Sequence, residues 1–194
     1  MYAAVGIHPE SIGSGTTTEQ IETLAHHQKC VAIGEIGLDY YWESESHQKQ
    51  IEVFENMIML SKKLEKPIIV HDRDAHADTL EILKRHKPKG VVHCFSGSVE
   101  MAQEIIRLGM YIGVGGVVTF KNAKKLPDVV QIIPDELLLV ETDCPYLAPE
   151  PYRGKLCHSG MIKLTAQKIA EIRNTTPKHI LELTAKNAKE LFNL

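Results

Sequence analysis

Ionisable side chains follow five short apolar segments of this 194-residue chain. These segments run into the sequences GIHPE, GEIGLD, VHDR, VHCFSG and ETDCP, which carry His8, Glu35, His71, His93 and Asp143. Imidazole and carboxylate groups are the ligands that zinc, manganese and nickel prefer, and one bridging carboxylate can hold two ions about 3.5–4 Å apart. The pattern therefore indicates a divalent-metal hydrolase site, although any one of these residues alone is more typical of a structural role.

Cationic residues near these segments are compatible with a phosphate-containing substrate. Arg73 lies two residues after His71, and a guanidinium group can bind two phosphate oxygens at once. The segments TFKN and YRGK add Lys121 and Arg153 on predicted loops. Each cation alone is also typical of a solvated surface, so the phosphate interpretation depends on the metal site being present.

Strands that alternate with helices must position these side chains. The predicted strands span residues 2–7, 31–36, 67–71, 90–95, 110–114 and 137–142. The predicted helices span residues 18–27, 45–65, 75–86, 99–108, 122–132, 158–173, 177–183 and 185–192. This alternation predicts a parallel α/β sheet, in which ligands bind at the carboxyl ends of the strands. A closed barrel and an open doubly wound sheet both remain possible, but no glycine-rich phosphate loop of the open fold follows any strand.

The composition is that of a globular protein with one domain, residues 1–194. Apolar residues make up 43% and charged residues 24%, and the net charge is −3. This balance excludes a protein that holds nucleic acid by bulk positive charge. No apolar run is long enough to span a bilayer and no basic leader precedes one, so we expect a cytoplasmic protein that does not bind membranes. The four cysteines are far apart, which predicts free thiols.

Five motifs in order resemble the TatD family of metal-dependent deoxyribonucleases, which belongs to the amidohydrolase-like TIM barrels. They are GIHPE, GEIGLDY, HDRDA, HCFSGS and ETDCPYLAP, and the resemblance extends from about Tyr2 to Phe192. It implies a (β/α)8 fold and hydrolysis of DNA phosphodiester bonds. The implied substrate is single-stranded DNA or a 3′ end, degraded exonucleolytically.

The resemblance also implies roles for individual residues. Glu35 would bridge two divalent metal ions, His71 and His93 would hold the second ion, and Asp143 would hold the first ion and contact the attacking water. Catalysis would therefore depend on Asp143 and Glu35. The implied substrate-binding residues are His8, Arg73, Ser96, Lys121 and Arg153. The sequence does not distinguish zinc, magnesium, manganese and nickel.

One family motif is absent from the sequence. Family members begin with a strand that ends in D-x-H-x-H, whose histidines hold the first metal ion, and no such motif occurs here. The second ion would keep Glu35, His71 and His93, and three protein ligands suffice for a catalytic site. A complete barrel needs about 250 residues, so we expect an N-terminally truncated barrel of about six βα units. We expect a monomer or a weak homo-oligomer.

Two other functions compete with a deoxyribonuclease. A barrel does not determine its substrate, so the chain could hydrolyse another small substrate, as amidohydrolase relatives do. Alternatively, it is a non-catalytic truncated remnant with a broken metal site. Metal content and activity on single-stranded DNA distinguish the three.

Overall fold

A computed structural model describes residues 1–42 and 45–194, and these residues form six strands and seven α-helices. The strands are β1 Ala3–Val5, β2 Cys30–Asp39, β3 Ile68–Arg73, β4 Gly90–Val92, β5 Tyr111–Val114 and β6 Leu138–Val140. The helices are α1 Thr18–Ala25, α2 His47–Lys63, α3 His76–His86, α4 Val99–Arg107, α5 Leu126–Ile132, α6 Ile162–Arg173 and α7 Pro177–Phe192. All six predicted strands are present. None of the helices in the described ranges is long and apolar enough to cross a membrane.

The described residues form two compact units. The first unit contains Met1–Val92 with Leu191–Asn193, and the second contains His93–Glu190 with Leu194. Every strand pairing recorded within either unit is parallel, so the α/β class predicted from the sequence is confirmed.

The first unit is built around β2. Strands β1 to β4 pair in sequence order, and α2 packs on β2. Strand β2 is apolar and almost entirely buried, as expected for a parallel strand covered on both faces. The core residues contributed by these two elements include Ile33, Ile36, Leu38, Phe54 and Ile58. Helix α2 begins at His47, because the side chain of Ser46 accepts a hydrogen bond from the N–H of Lys49 and caps the first turn.

Strand β2 extends three residues beyond its predicted end and reaches Asp39. Its last residues pair with β3, placing Gly37 opposite His71 and Asp39 opposite Arg73. Gly37 has a φ angle of +146°, and a Cβ atom there would lie 1.9 Å from the carbonyl oxygen of His71. A glycine is therefore required for β2 to approach β3 at this point. This approach determines the position of His71.

The second unit joins β5 and β6 to helices α4 to α7. Ile112 pairs with Leu138 in the parallel register. The side chain of Asn187 in α7 donates hydrogen bonds to the carbonyl oxygens of Leu138 (2.8 Å) and Asp135 (2.6 Å). The sequence predicted two helices, 177–183 and 185–192, but α7 is continuous. Thr184 lies inside this helix, and its hydroxyl donates to the carbonyl oxygen of Ile180, 2.9 Å away, so the buried hydroxyl has a partner within the helix.

Candidate metal centre

His8, Glu35 and His71 converge in the first unit. Each offers one ligand atom, and these three atoms lie within 4.8 Å of one another. His8 follows β1, Glu35 lies in β2 and His71 lies in β3, and the two imidazole rings meet edge to face with centroids 4.5 Å apart. Two imidazoles and a carboxylate are a donor set that suits zinc, manganese or nickel. This His8–Glu35–His71 cluster therefore brings together side chains of the types that bind a divalent cation.

Glu35 is exposed, although both of its neighbours in β2, Gly34 and Ile36, are buried. A buried carboxylate without a partner would be costly, because the protein interior solvates a charge poorly. A carboxylate that is exposed within the strand, as Glu35 is in β2, avoids this cost and can accept a cation from solvent. Strand β2 therefore leaves the Glu35 carboxylate accessible to solvent, and its role as a metal ligand stays a prediction.

Asp39 is a positioning residue that was not predicted from the sequence. Its Oδ2 lies 2.9 Å from Nε2 of His71, and its side chain is fully buried. Its Oδ1 accepts hydrogen bonds from the backbone N–H groups of Tyr41 (3.0 Å) and Trp42 (3.1 Å). A carboxylate on one imidazole nitrogen orients the ring and assigns the other nitrogen, here Nδ1, to a metal.

Burial alone would raise the pKa of Asp39, but its hydrogen bonds to His71 and to the N–H groups of Trp42 and Tyr41 outweigh burial. The net result is a pKa below the ordinary value for aspartate. Asp39 is therefore ionised and accepts the Nε2 proton of His71.

Gln50 holds the end of β2 from α2. Its Oε1 accepts a hydrogen bond from the N–H of Asp39 (2.8 Å). Its Nε2 donates to the carbonyl oxygens of Asp39 (2.9 Å) and Glu45 (3.2 Å). A buried glutamine whose amide is saturated by backbone groups fixes the strand end rigidly. The sequence contained one signal that Gln50 is buried: it lies four residues before Phe54, on the apolar face of α2.

His8 is arranged as a hydrogen-bond donor. Its Nδ1 accepts a hydrogen bond from the N–H of Glu10 at 3.2 Å. Burial lowers the pKa of His8 below its usual value, and the neighbouring His71 lowers it further. A neutral imidazole that accepts at Nδ1 carries its proton on Nε2. In this arrangement His8 suits an anionic oxygen of a substrate better than a metal ion.

Arg73 is exposed at the end of β3, two residues after His71. Its guanidinium carbon lies 3.9 Å from the ring centroid of Tyr41 and 5.4 Å from that of Trp42. Cation–π contacts of this kind hold the guanidinium in place while its N–H groups remain able to donate.

In the second unit, His93 and Glu141 form another cluster. His93 is largely buried, and its Nδ1 lies 3.8 Å from Oε1 of Glu141. The same oxygen accepts a hydrogen bond from the backbone N–H of Cys94. A Cβ atom on Gly113 would lie 2.7 Å from Oε2 of Glu141, so the glycine leaves room for this carboxylate. Glu141 was not predicted from the sequence, although ETDCP carries two carboxylates two residues apart.

The other predicted site residues of the second unit lie in loops. Asp143 is half-buried after β6, and its carbonyl oxygen accepts a hydrogen bond from Tyr146 at 2.7 Å. Ser96 is exposed after β4. The ligand roles of His93 and Asp143 and the substrate role of Ser96 stay predictions. The four cysteines are reduced, as predicted.

The two basic segments TFKN and YRGK come together. The guanidinium carbon of Arg153 lies 4.3 Å from the ring centroid of Phe120. Arg153 also donates a hydrogen bond to Oδ1 of Asn122 at 3.2 Å, and Lys121, between these two contacts, is exposed. Their contact with a substrate stays a prediction.

Three comparisons agree on the relatives of this chain. The family model described as TatD related DNase matches residues 1–193. The chain is 45% identical to the uncharacterized metal-dependent hydrolase YabD of Bacillus subtilis, over 100% of the chain and 78% of that protein. It is 41% identical to the uncharacterized metal-dependent hydrolase YcfH of Escherichia coli K12, over 97% of the chain and 72% of that protein.

A solved structure resembles the whole chain. The TatD homologue YJJV of Escherichia coli superposes with a TM-score of 0.92 at 32% identity, covering 100% of this chain and 77% of that one. This match confirms the predicted TIM-barrel-type α/β class. With the family match and the His8–Glu35–His71 cluster, it establishes that the chain belongs to the TatD family of metal-dependent hydrolases.

Proposed function

We propose that the chain hydrolyses phosphodiester bonds of DNA with the help of a divalent metal ion. The observation that carries the proposal is the His8–Glu35–His71 cluster, in which a carboxylate and an imidazole suited to a cation adjoin an imidazole arranged as a donor. Arg73, two residues after His71, adds a fixed positive charge. A metal cation, a hydrogen-bond donor and a guanidinium group are together suited to the negative charge of a phosphate. They suit a neutral amide less well.

In this proposal the cluster residues, Asp39 and Arg73 each have a defined role. Glu35 and His71 would hold the ion, and Asp39, by contacting Nε2 of His71, would leave Nδ1 of that ring available as the ligand atom. The chemistry that a bound divalent ion supplies is Lewis acidity. The Nε2–H of His8 donates to a non-bridging phosphate oxygen, and Arg73 neutralises the negative charge that increases there in the transition state. His93 as a ligand and Asp143 as the group that accepts a proton from water are assigned by their motifs alone.

The test is hydrolysis by purified protein that has been stripped with EDTA and supplied separately with Mg²⁺, Mn²⁺, Zn²⁺ and Ni²⁺. The substrates are single-stranded DNA labelled at the 5′ or the 3′ end, duplex DNA, single-stranded RNA and a small amide. We expect metal-dependent shortening of single-stranded DNA, and the two labels report the direction of digestion.

Two variants complete the experiment. His71→Ala removes a cluster imidazole and should abolish cleavage, whereas His179→Ala removes an exposed imidazole at the start of α7 and should leave it unchanged. Hydrolysis of the amide with DNA left intact would assign the chain to another amidohydrolase-like reaction. Failure to bind metal and to cleave any substrate would identify a non-catalytic protein.

A further inference from the structure

Two large aromatic side chains are exposed directly after β2. Tyr41 and Trp42 are 54% and 59% exposed, and their rings meet edge to face with centroids 4.9 Å apart. An isolated exposed aromatic residue is unremarkable, but two in contact form an apolar surface that usually meets a ligand or a partner. This pair of side chains, Tyr41 and Trp42, is called the aromatic platform below.

The aromatic platform is attached to the candidate metal centre through one buried carboxylate. Oδ1 of Asp39 accepts hydrogen bonds from the backbone N–H groups of both Tyr41 and Trp42, and Oδ2 contacts Nε2 of His71. Gln50 holds the backbone of Asp39 itself. The backbone that carries the two rings and the imidazole of His71 are therefore held by the same fully buried side chain.

Arg73 joins the platform to the side that we propose binds phosphate. Its guanidinium carbon lies 3.9 Å from the centroid of the Tyr41 ring, and it follows His71 by two residues in β3, which places both side chains on the same face of the strand. A phosphate-binding cation thus contacts an exposed aromatic ring. In a nucleic acid each phosphate is followed, one sugar away, by a flat base.

We infer that the Trp42 ring stacks on the base of the nucleotide that adjoins the hydrolysed phosphate, with the perpendicular Tyr41 ring at the edge of that base. This inference depends on the proposed function. It narrows the substrate to single-stranded nucleic acid, since a base inside a duplex is already stacked on both faces and cannot reach a protein ring. Stacking on aromatic rings tolerates any base, so the platform confers affinity without sequence preference.

The chain supplies its own probe, because Trp42 is its single tryptophan. Fluorescence is recorded in EDTA, so that no hydrolysis occurs, during titration with oligothymidylate, an abasic oligomer of the same length and inorganic phosphate. We expect quenching by oligothymidylate alone. Equal quenching by the abasic oligomer, or none by either oligomer, overturns the inference whether or not the chain is a nuclease.

A kinetic cycle tests the same contact in the metal-loaded protein. Loss of one base–aromatic stack corresponds to a loss of affinity of about ten- to a hundredfold, so Trp42→Leu should raise KM for single-stranded DNA by that factor. The same variant should leave KM unchanged for DNA whose terminal nucleotides are abasic. Trp42→Phe keeps an aromatic face and should retain most of the affinity. Tyr2→Ala removes another exposed aromatic residue, 55% exposed, and serves as the matched control.

The outcomes separate the inference from the proposed function. If wild-type protein cleaves no DNA, the proposed function fails, and the EDTA titration still decides the inference. If wild-type protein cleaves DNA but Trp42→Leu changes KM equally for normal and abasic substrates, the proposed function stands and the aromatic platform is rejected.

Discussion

Glu35 lies within the buried parallel strand β2 and Glu141 directly follows the parallel strand β6, but the surroundings of the two carboxylates differ. Glu35 is exposed and lies among the imidazoles of His8 and His71. Glu141 is 24% exposed, accepts a hydrogen bond from the N–H of Cys94 and occupies the space above Gly113. The neighbours of a carboxylate therefore indicate what it does. Two imidazole rings around Glu35 suit a shared cation, whereas Glu141 has one imidazole, that of His93, at 3.8 Å and accepts a hydrogen bond from the backbone N–H of Cys94 that fixes the segment after β4.

Substitution at Glu35 should have the largest effect on activity. Glu35→Gln keeps the shape but removes the charge that holds the cation, so we expect a loss of metal and a fall in kcat/KM of about a thousandfold or more. Metal content per chain and hydrolysis rate measure the effect. In EDTA the variant should unfold at the wild-type temperature, since Glu35 is exposed. Glu182→Gln on α7 is the control, and a Glu35→Gln protein with normal metal content and rate contradicts the assignment.

Asp39→Asn should have the next largest effect. An asparagine amide has no negative charge and is a weaker acceptor than the carboxylate for the hydrogen bond from Nε2 of His71. Loss of a carboxylate that supports a metal-binding histidine lowers metal affinity by about ten- to a hundredfold. Calorimetric titration of the EDTA-stripped protein with Zn²⁺ or Mn²⁺ measures the dissociation constant. Asp128→Asn changes a carboxylate in the first turn of α5 and should have no effect. Equal affinity in Asp39→Asn and wild type would show that Asp39 does not orient His71.

The strands, and the ionisable residues at their predicted ends, could be located from the sequence because both depend on local patterns. Hydrophobic runs located all six strands, and Glu35 and His71 were identified by their place at the ends of two of them. The supporting residues could not be found in this way. Asp39 contacts His71 at a separation of 32 residues, and Glu141 contacts Cys94 at a separation of 47. Such contacts exist only after the strands have paired.

Glu141→Ala should act on stability. It removes the acceptor for the N–H of Cys94, and loss of one partner of a partly buried hydrogen bond should cost roughly 1–3 kcal/mol, toward the lower end of that range. For a chain of this length we expect the unfolding temperature to fall by about 2–10 °C. Thermal and denaturant unfolding, both in EDTA, measure the change. Glu136→Ala, at an exposed position, is the control. Unchanged stability would contradict a structural role for Glu141, and with it the difference between Glu141 and Glu35.

Gly113→Ala should have the smallest effect and tests how Glu141 is seated. The added Cβ would lie 2.7 Å from Oε2 of Glu141, which is the flexible end of a side chain, so we expect a loss of about 1 kcal/mol. In the Glu141→Ala background the clash disappears and the same substitution should be nearly neutral. Denaturant unfolding of the wild type, both single variants and the double variant gives the coupling energy. Additive effects would mean that Gly113 does not make room for Glu141. A measurable coupling would instead mean that the Glu141 carboxylate is positioned by the space that Gly113 in β5 leaves open, because glycine has no Cβ atom.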